Sequence, residues 1–121
     1  MKNRFKSFQG YFRAYQKRFG LNEYRIYFKQ EPLDNRFAQI RISREHMDAL
    51  VELNSGVDKE SAPFEDIKGS AKHEAIHLLL GRYSNLAHSR YAMEEFLIEA
   101  EEELVRRLEV LIPNIQLPKG K

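Results

Sequence analysis

The sequence predicts a single α+β domain. Aromatic residues recur at helical spacing near the N-terminus, apolar and polar residues alternate in short runs between about residues 24 and 53, and a helical period returns from about Pro63. Helix, strands, helix, helix, with no linker long enough to divide them, makes one domain over residues 1–113, followed by a tail at 114–121 expected to be mobile.

The first helix is expected over residues 4–19, where Phe5, Phe8, Phe12, Tyr15 and Phe19 fall three and four apart and so share one stripe. Gly10 weakens that helix, and Gly20 is a natural stop. Lys2, Lys6, Arg13, Lys17 and Arg18 lie mostly off the stripe. Aromatics among basic residues can stack on single-stranded nucleic acid, but a stripe at this spacing reads first as core. Tyr24 to Lys29 is rich in aromatic and β-branched residues and reads as a strand; Glu31 to Asn35 is a turn. Phe37, Gln39 and Arg41 alternate with Ala38, Ile40 and Ile42, the period of a half-buried strand. Residues 48–53 fit strand slightly better than helix, and 54–58 form a loop. A helix from about Pro63 to Leu80 ends at Gly81, and a long one runs from about Ser89 to Ile112, where Pro113 stops it.

Composition bounds the function. Apolar residues make up 42% and charged residues 31%, as in a folded globular chain. The absence of cysteine removes disulfides, thiolate metal sites and cysteine nucleophiles, and fits a reducing compartment. Neither a membrane-spanning run nor a secretory signal is visible, so the expectation is a cytoplasmic protein with no membrane partner. Net charge is +2, yet residues 1–45 hold 11 Lys/Arg against 4 Asp/Glu, and residues 46–121 hold 9 against 14. Two solvated faces explain this split more simply than a basic arm for nucleic acid.

The chemistry concentrates in His73-Glu74-Ala75-Ile76-His77. Two histidines four apart on a helix put both imidazoles on one face, close enough to share a metal. Glu74, one residue beyond the first, can reach a metal-bound water without binding the metal. Zinc lowers the pKa of such a water toward about 7, so a carboxylate can take its proton. The expected cofactor is therefore one zinc ion, with His73 and His77 as ligands and Glu74 as general base.

A catalytic zinc needs a third protein ligand. On the last helix Met93, Leu97, Leu104, Leu108 and Leu111 cluster on one side, bordered by Ile98, Val105 and Ile112. Glu101 falls inside this arc, flanked by Leu97, Ile98, Val105 and Leu108. A lone buried carboxylate is costly, and a cation would offset that cost. Glu101 is the expected third ligand. Glu102, Glu94 and His88, the sole later histidine, are the alternatives.

On these residues the chain resembles the gluzincin side of the zincin metallopeptidases. It is most similar to the small phage- and prophage-associated metallopeptidase-like domains known as minigluzincins. The likeness spans about residues 21–112 and rests on His73-Glu74-x-x-His77-Leu-Leu-Leu, on Glu101-Glu102-x-x-Val105-x-x-Leu108, and on the strands before the first motif. The longer metzincin motif is excluded, because Leu80 and Tyr83 stand where it requires Gly and His. The resemblance implies a zincin-like fold: an N-terminal helix, a three-stranded sheet, the motif helix beneath it and a glutamate helix completing the site. It also implies zinc on His73, His77 and Glu101, Glu74 as base, and a strand edge, 37–43 or 48–53, holding an extended peptide.

The expected function is zinc-dependent peptide hydrolysis, on a peptide or protein substrate that a partner protein can present. Tyr83, Tyr91 or Arg90 is the expected oxyanion partner. Two other readings remain at this level. A SprT-like domain would use His88 as third ligand and act on DNA-bound proteins. A catalytically silent module, zinc-bound or not, would associate with protein or nucleic acid through the basic first helix.

Overall fold

The computed structural model describes residues 3–56, 65–89 and 91–112, in the order α1 (Arg4–Arg18), β1 (Arg25–Glu31), β2 (Ala38–Ser43), β3 (Asp48–Asn54), α2 (Ile67–Leu79), α3 (Gly81–Ala87) and α4 (Glu94–Leu111). This is an α+β chain of four helices and one three-stranded sheet.

Both ends of α1 are written in its sequence. The Asn3 side chain accepts hydrogen bonds from the Phe5 and Lys6 N–H groups at 3.0 and 3.2 Å, capping the first turn. At the other end Gly20 takes φ +71°. Its N–H donates to the Lys17 carbonyl at 3.1 Å, and the Leu21 N–H donates to the Gln16 carbonyl at 3.0 Å. That paired closure needs a left-handed residue, which glycine adopts without steric cost. The aromatic stripe is core, as expected. Phe8 and Phe12 are fully buried, and Phe5, Tyr15 and Phe19 pack against the same cluster. The rings that basic neighbours would have offered to nucleobases are therefore largely spent on packing.

The strand order is β1-β3-β2. β3 lies in the middle, parallel to β1 (Arg25↔Asp48 through Glu31↔Asn54) and antiparallel to β2 (Ala38↔Leu53 through Ser43↔Asp48). Period-two alternation then sorts the faces. Ala49, Val51 and Leu53 of β3 point into the core with Ile26 and Phe28 of β1 and Ala38, Ile40 and Ile42 of β2. Phe28 meets Phe12 edge-on, with ring centroids 5.6 Å apart. α1 and α2 cover this face side by side, and α2 also rests on β2.

The sequence-based boundaries need two corrections. The helix expected from Pro63 begins at Ile67, where Asp66 caps it by accepting the Gly69 N–H at 2.9 Å. Pro63 itself lies outside the described residues. α2 ends at Leu79 with Leu80 as its cap, close to the expected end. The chain then re-enters a helix at once, so residues 81–87 form α3, a helix the sequence did not predict, and the long helix expected over 89–112 begins later, as Glu94–Leu111. Pro113 and the tail 114–121 also fall outside the described residues. No described helix is long and apolar enough to cross a membrane.

Candidate active site

α2 presents two stripes to two environments. Ala71, Glu74, Ala75 and Leu78 lie on the buried stripe, while His73 and His77 lie on the adjoining flank, which faces β2. The i, i+4 spacing brings the two Nε2 atoms to 3.2 Å. Two nitrogens bound to a tetrahedral zinc at about 2.0–2.1 Å lie about 3.3–3.4 Å apart, so this separation is close to one edge of that tetrahedron. The donor set fits a first-row metal. With both imidazoles neutral, the same distance lets one ring N–H donate to the other ring's lone pair.

Glu74 is 6% exposed. Burial raises its pKa above the usual carboxylate range, and the nearby charges of His73, His77 and Arg36 offset only part of that rise. A carboxylate in this state is a stronger base than one in water, and it faces the same cavity as the two imidazoles.

Two cavities meet at His77 and share Ile40. One, of about 400 Å³, opens between Arg36, Gln39, His73 and Glu74; the other, of about 540 Å³, lies between Ile42, Arg44, Leu80, Ser84 and His88. Both run beside β2, whose outer edge is paired with no other described strand. β3 is paired on both sides, so of the two segments expected to hold peptide, 37–43 has the open edge and 48–53 does not.

No family model and no curated protein sequence matches the chain. Among solved structures it is similar to the metallopeptidase zymogen of Methanocaldococcus jannaschii jannalysin. The match has 15% identity, covers 89% of this chain and 99% of that chain, and gives a TM-score of 0.42. Likeness at that level does not establish a shared fold, so the site rests on its own residues.

The other expected site residues are placed differently. Glu101 is exposed on α4, not enclosed by Leu97, Ile98, Val105 and Leu108. The stripe of α4 that turns inward contains Leu97, Ala100, Leu104, Arg107 and Leu111. Ile98, Glu101, Val105, Leu108 and Ile112 share the solvent side. Among the described residues no three His, Asp or Glu side chains lie close enough together to hold a metal ion. Glu94 and Glu102 are exposed as well.

α4 docks through Ala100, Leu104 and Leu111 and through charge. Arg82 pairs with Glu99 and, at 3.1 Å, with Glu103; Arg107 reaches the Phe19 and Gly20 carbonyls at 3.2 and 2.9 Å. His88, by contrast, lines the cavity that His77 lines, and its Nδ1 lies 2.8 Å from the Ser84 carbonyl. That hydrogen bond places the proton on Nδ1 and leaves the Nε2 lone pair available, as in many metal-bound histidines.

The expected oxyanion partners do not converge on the site. Tyr83 is 40% and Tyr91 84% exposed, neither lines either cavity, and Arg90 lies outside the described residues. The sequence reading missed Arg36. The Asn54 side chain, buried in β3, donates to the Leu33 and Arg36 carbonyls at 3.0 and 2.8 Å and accepts from the Leu33 N–H at 3.1 Å. This clamp fixes the turn before β2, in which Asn35 adopts φ +55°. No local motif announces it, because the clamping residue is 18 positions away.

Proposed function

We propose that this chain is a zinc-dependent metallopeptidase of gluzincin type, in which His73 and His77 bind the metal and Glu74 is the general base. The supporting observation is the pair of imidazole nitrogens at nearly the edge length of a zinc tetrahedron, with a buried carboxylate one residue along the same helix. Zinc, when bound, supplies a Lewis acid and lowers the pKa of water at the site. The chain supplies the rest. Glu74 accepts a proton from the attacking water and returns it to the departing amine, two transfers favoured by a pKa above the ordinary carboxylate range. The β2 edge offers backbone N–H and C=O groups on which an extended peptide can lie beside the histidines.

A third ligand from α4 requires that helix to present the face carrying Ile98, Glu101, Val105 and Leu108 to α2. That face is apolar next to Glu101, with Glu94 two turns earlier on the same side, and apolar surroundings suit a buried metal ligand. His88 is the second candidate, favoured by its place beside His77 and by the Nδ1 bond to Ser84.

Metal content decides between them. Protein purified without added metal is expected to carry one zinc per chain, and His73→Ala none. Loss of zinc in Glu101→Ala with retention in His88→Ala selects the glutamate, and the reverse selects the histidine. Glu74→Gln is expected to keep the metal and lose at least about 100-fold in peptide turnover. Parent protein that holds no zinc would overturn the reading.

A further inference from the structure

The residues of β2 that face α2 are even-numbered: Ala38, Ile40 and Ile42. Just beyond the two ends of β2, Arg36 lines one cavity and Arg44 the other, one at each end of the trough beside the histidines, and Arg36 also borders a neighbouring cavity lined by Glu31 and Asp34. Arg44 is held through its side chain and Arg36 through its backbone, the exposed Arg36 Nη1 donating, among the described residues, only to Gln39 Oε1 at 3.3 Å. The Arg36 backbone is clamped by Asn54, and the Arg44 Nη1 donates to the Tyr24 hydroxyl at 2.9 Å and lies 3.2 Å from the Met47 sulfur. Among the described residues neither arginine forms an ion pair with a carboxylate. Of all the residues lining the two cavities, Glu74 alone is acidic.

We propose that the trough selects an extended acidic peptide, with one carboxylate on Arg36, another on Arg44, and small or aliphatic residues between them over Ile40 and Ile42. This names the substrate class of the metallopeptidase reading and rests on it for turnover, though not for binding. Arginine recognises carboxylates through two parallel N–H donors, and the Arg44 guanidinium, already fixed by Tyr24 and Met47, loses less entropy on binding. The apolar middle of the trough and the open strand edge suit a peptide better than a nucleic-acid backbone, which carries a charge at every step. Arg36 and Arg44 are eight positions apart, at most about 26 Å of extended chain, so a nine-residue peptide spans them.

The test uses the full chain treated with chelator, so that binding is measured without turnover. Calorimetry compares capped nonapeptides with alternating threonine and valine in the middle and glutamate, glutamine or lysine at both ends. The glutamate peptide is expected to bind about tenfold or more tighter than its glutamine twin at low salt, with the gap narrowing as salt is added. Arg36→Gln and Arg44→Gln should each remove part of that gap by weakening the glutamate peptide more than the glutamine peptide. Equal binding of the glutamate and glutamine peptides, no binding of either, a gap that survives both substitutions, or tighter binding of a single-stranded DNA oligomer would overturn the proposal. A protein that lacks zinc yet prefers the glutamate peptide would leave it standing while the hydrolase reading fell.

Discussion

α2 and α4 both carry residues expected to bind the metal, yet the fold holds the two helices in opposite ways. α2 is gripped by apolar contact: Ala71, Ala75 and Leu78 are at most 1% exposed against α1 and the sheet. α4 buries only Ala100 to that degree, with Leu104 and Leu111 partly buried against the core and Arg82 and Arg107 adding polar ties. Meanwhile Ile98, Val105 and Val110 stay exposed. The histidine pair therefore rides on a firmly packed helix, and the residue expected to complete the site rides on a more loosely packed one. A local opening of α4 costs few apolar contacts, whereas displacing α2 dismantles the core.

The largest expected effect separates these two regimes. Leu78→Ala removes a buried side chain between α2 and its neighbours and should cost about 2–5 kcal/mol in urea denaturation. Leu108→Ala, on the exposed side of α4, should cost within about 0.5 kcal/mol. Equal losses at both positions would mean that α4 is packed as firmly as α2. Smaller, but more specific, is Arg107→Ala. It strips two carbonyls at the end of α1 of their donor and breaks the links to Glu23 and Glu103, for an expected loss of about 1 kcal/mol. Amide hydrogen exchange should then quicken across α4 while α2 keeps its protection. Uniform quickening of both helices would show that they open as one unit.

The same contrast separates what the sequence makes legible from what it hides. His73, Glu74 and His77 are readable because one helix sets their geometry, and the i, i+4 rule needs nothing from the rest of the chain. The α1 stripe and the three strands are readable for the same reason. Glu101 shows the limit. A helical wheel finds the apolar stripe around it, but α4 has two candidate stripes, and the one that carries Glu101 faces solvent. What chooses between them is distant: Arg82 lies 17 to 21 positions before its partners on α4, and Arg107 lies 88 positions after the carbonyl of Phe19. α3 hides differently: α2 stops just before Gly81 as the sequence suggests, but nothing local announces that residues 81–87 form a further helix. Arg36 carries no pattern at all, since Asn54 positions it from another strand.

The smallest expected effect concerns pH and tests whether charge holds α4. Burial pushes the Glu103 carboxyl up, but hydrogen bonds from Arg82 and Arg107, with their charges, outweigh it and hold the group below the usual carboxylate range. A carboxylate with a lowered folded-state pKa stabilises the fold above its unfolded value, near 4.3, and loses that contribution as pH falls through the folded value. The parent should therefore exceed Glu103→Gln in stability at pH 7 by no more than about 1 kcal/mol, since the group is partly open to solvent. The difference should vanish as the solution is acidified below about pH 4. Thermal melts of the two proteins across that range read this directly, and added salt should shrink the pH 7 difference. A difference that persists unchanged into acid would assign α4 docking to packing, not to the Arg82–Glu103–Arg107 network. The apolar face around Glu101 would then have to be displaced against a larger barrier before it could approach the histidines.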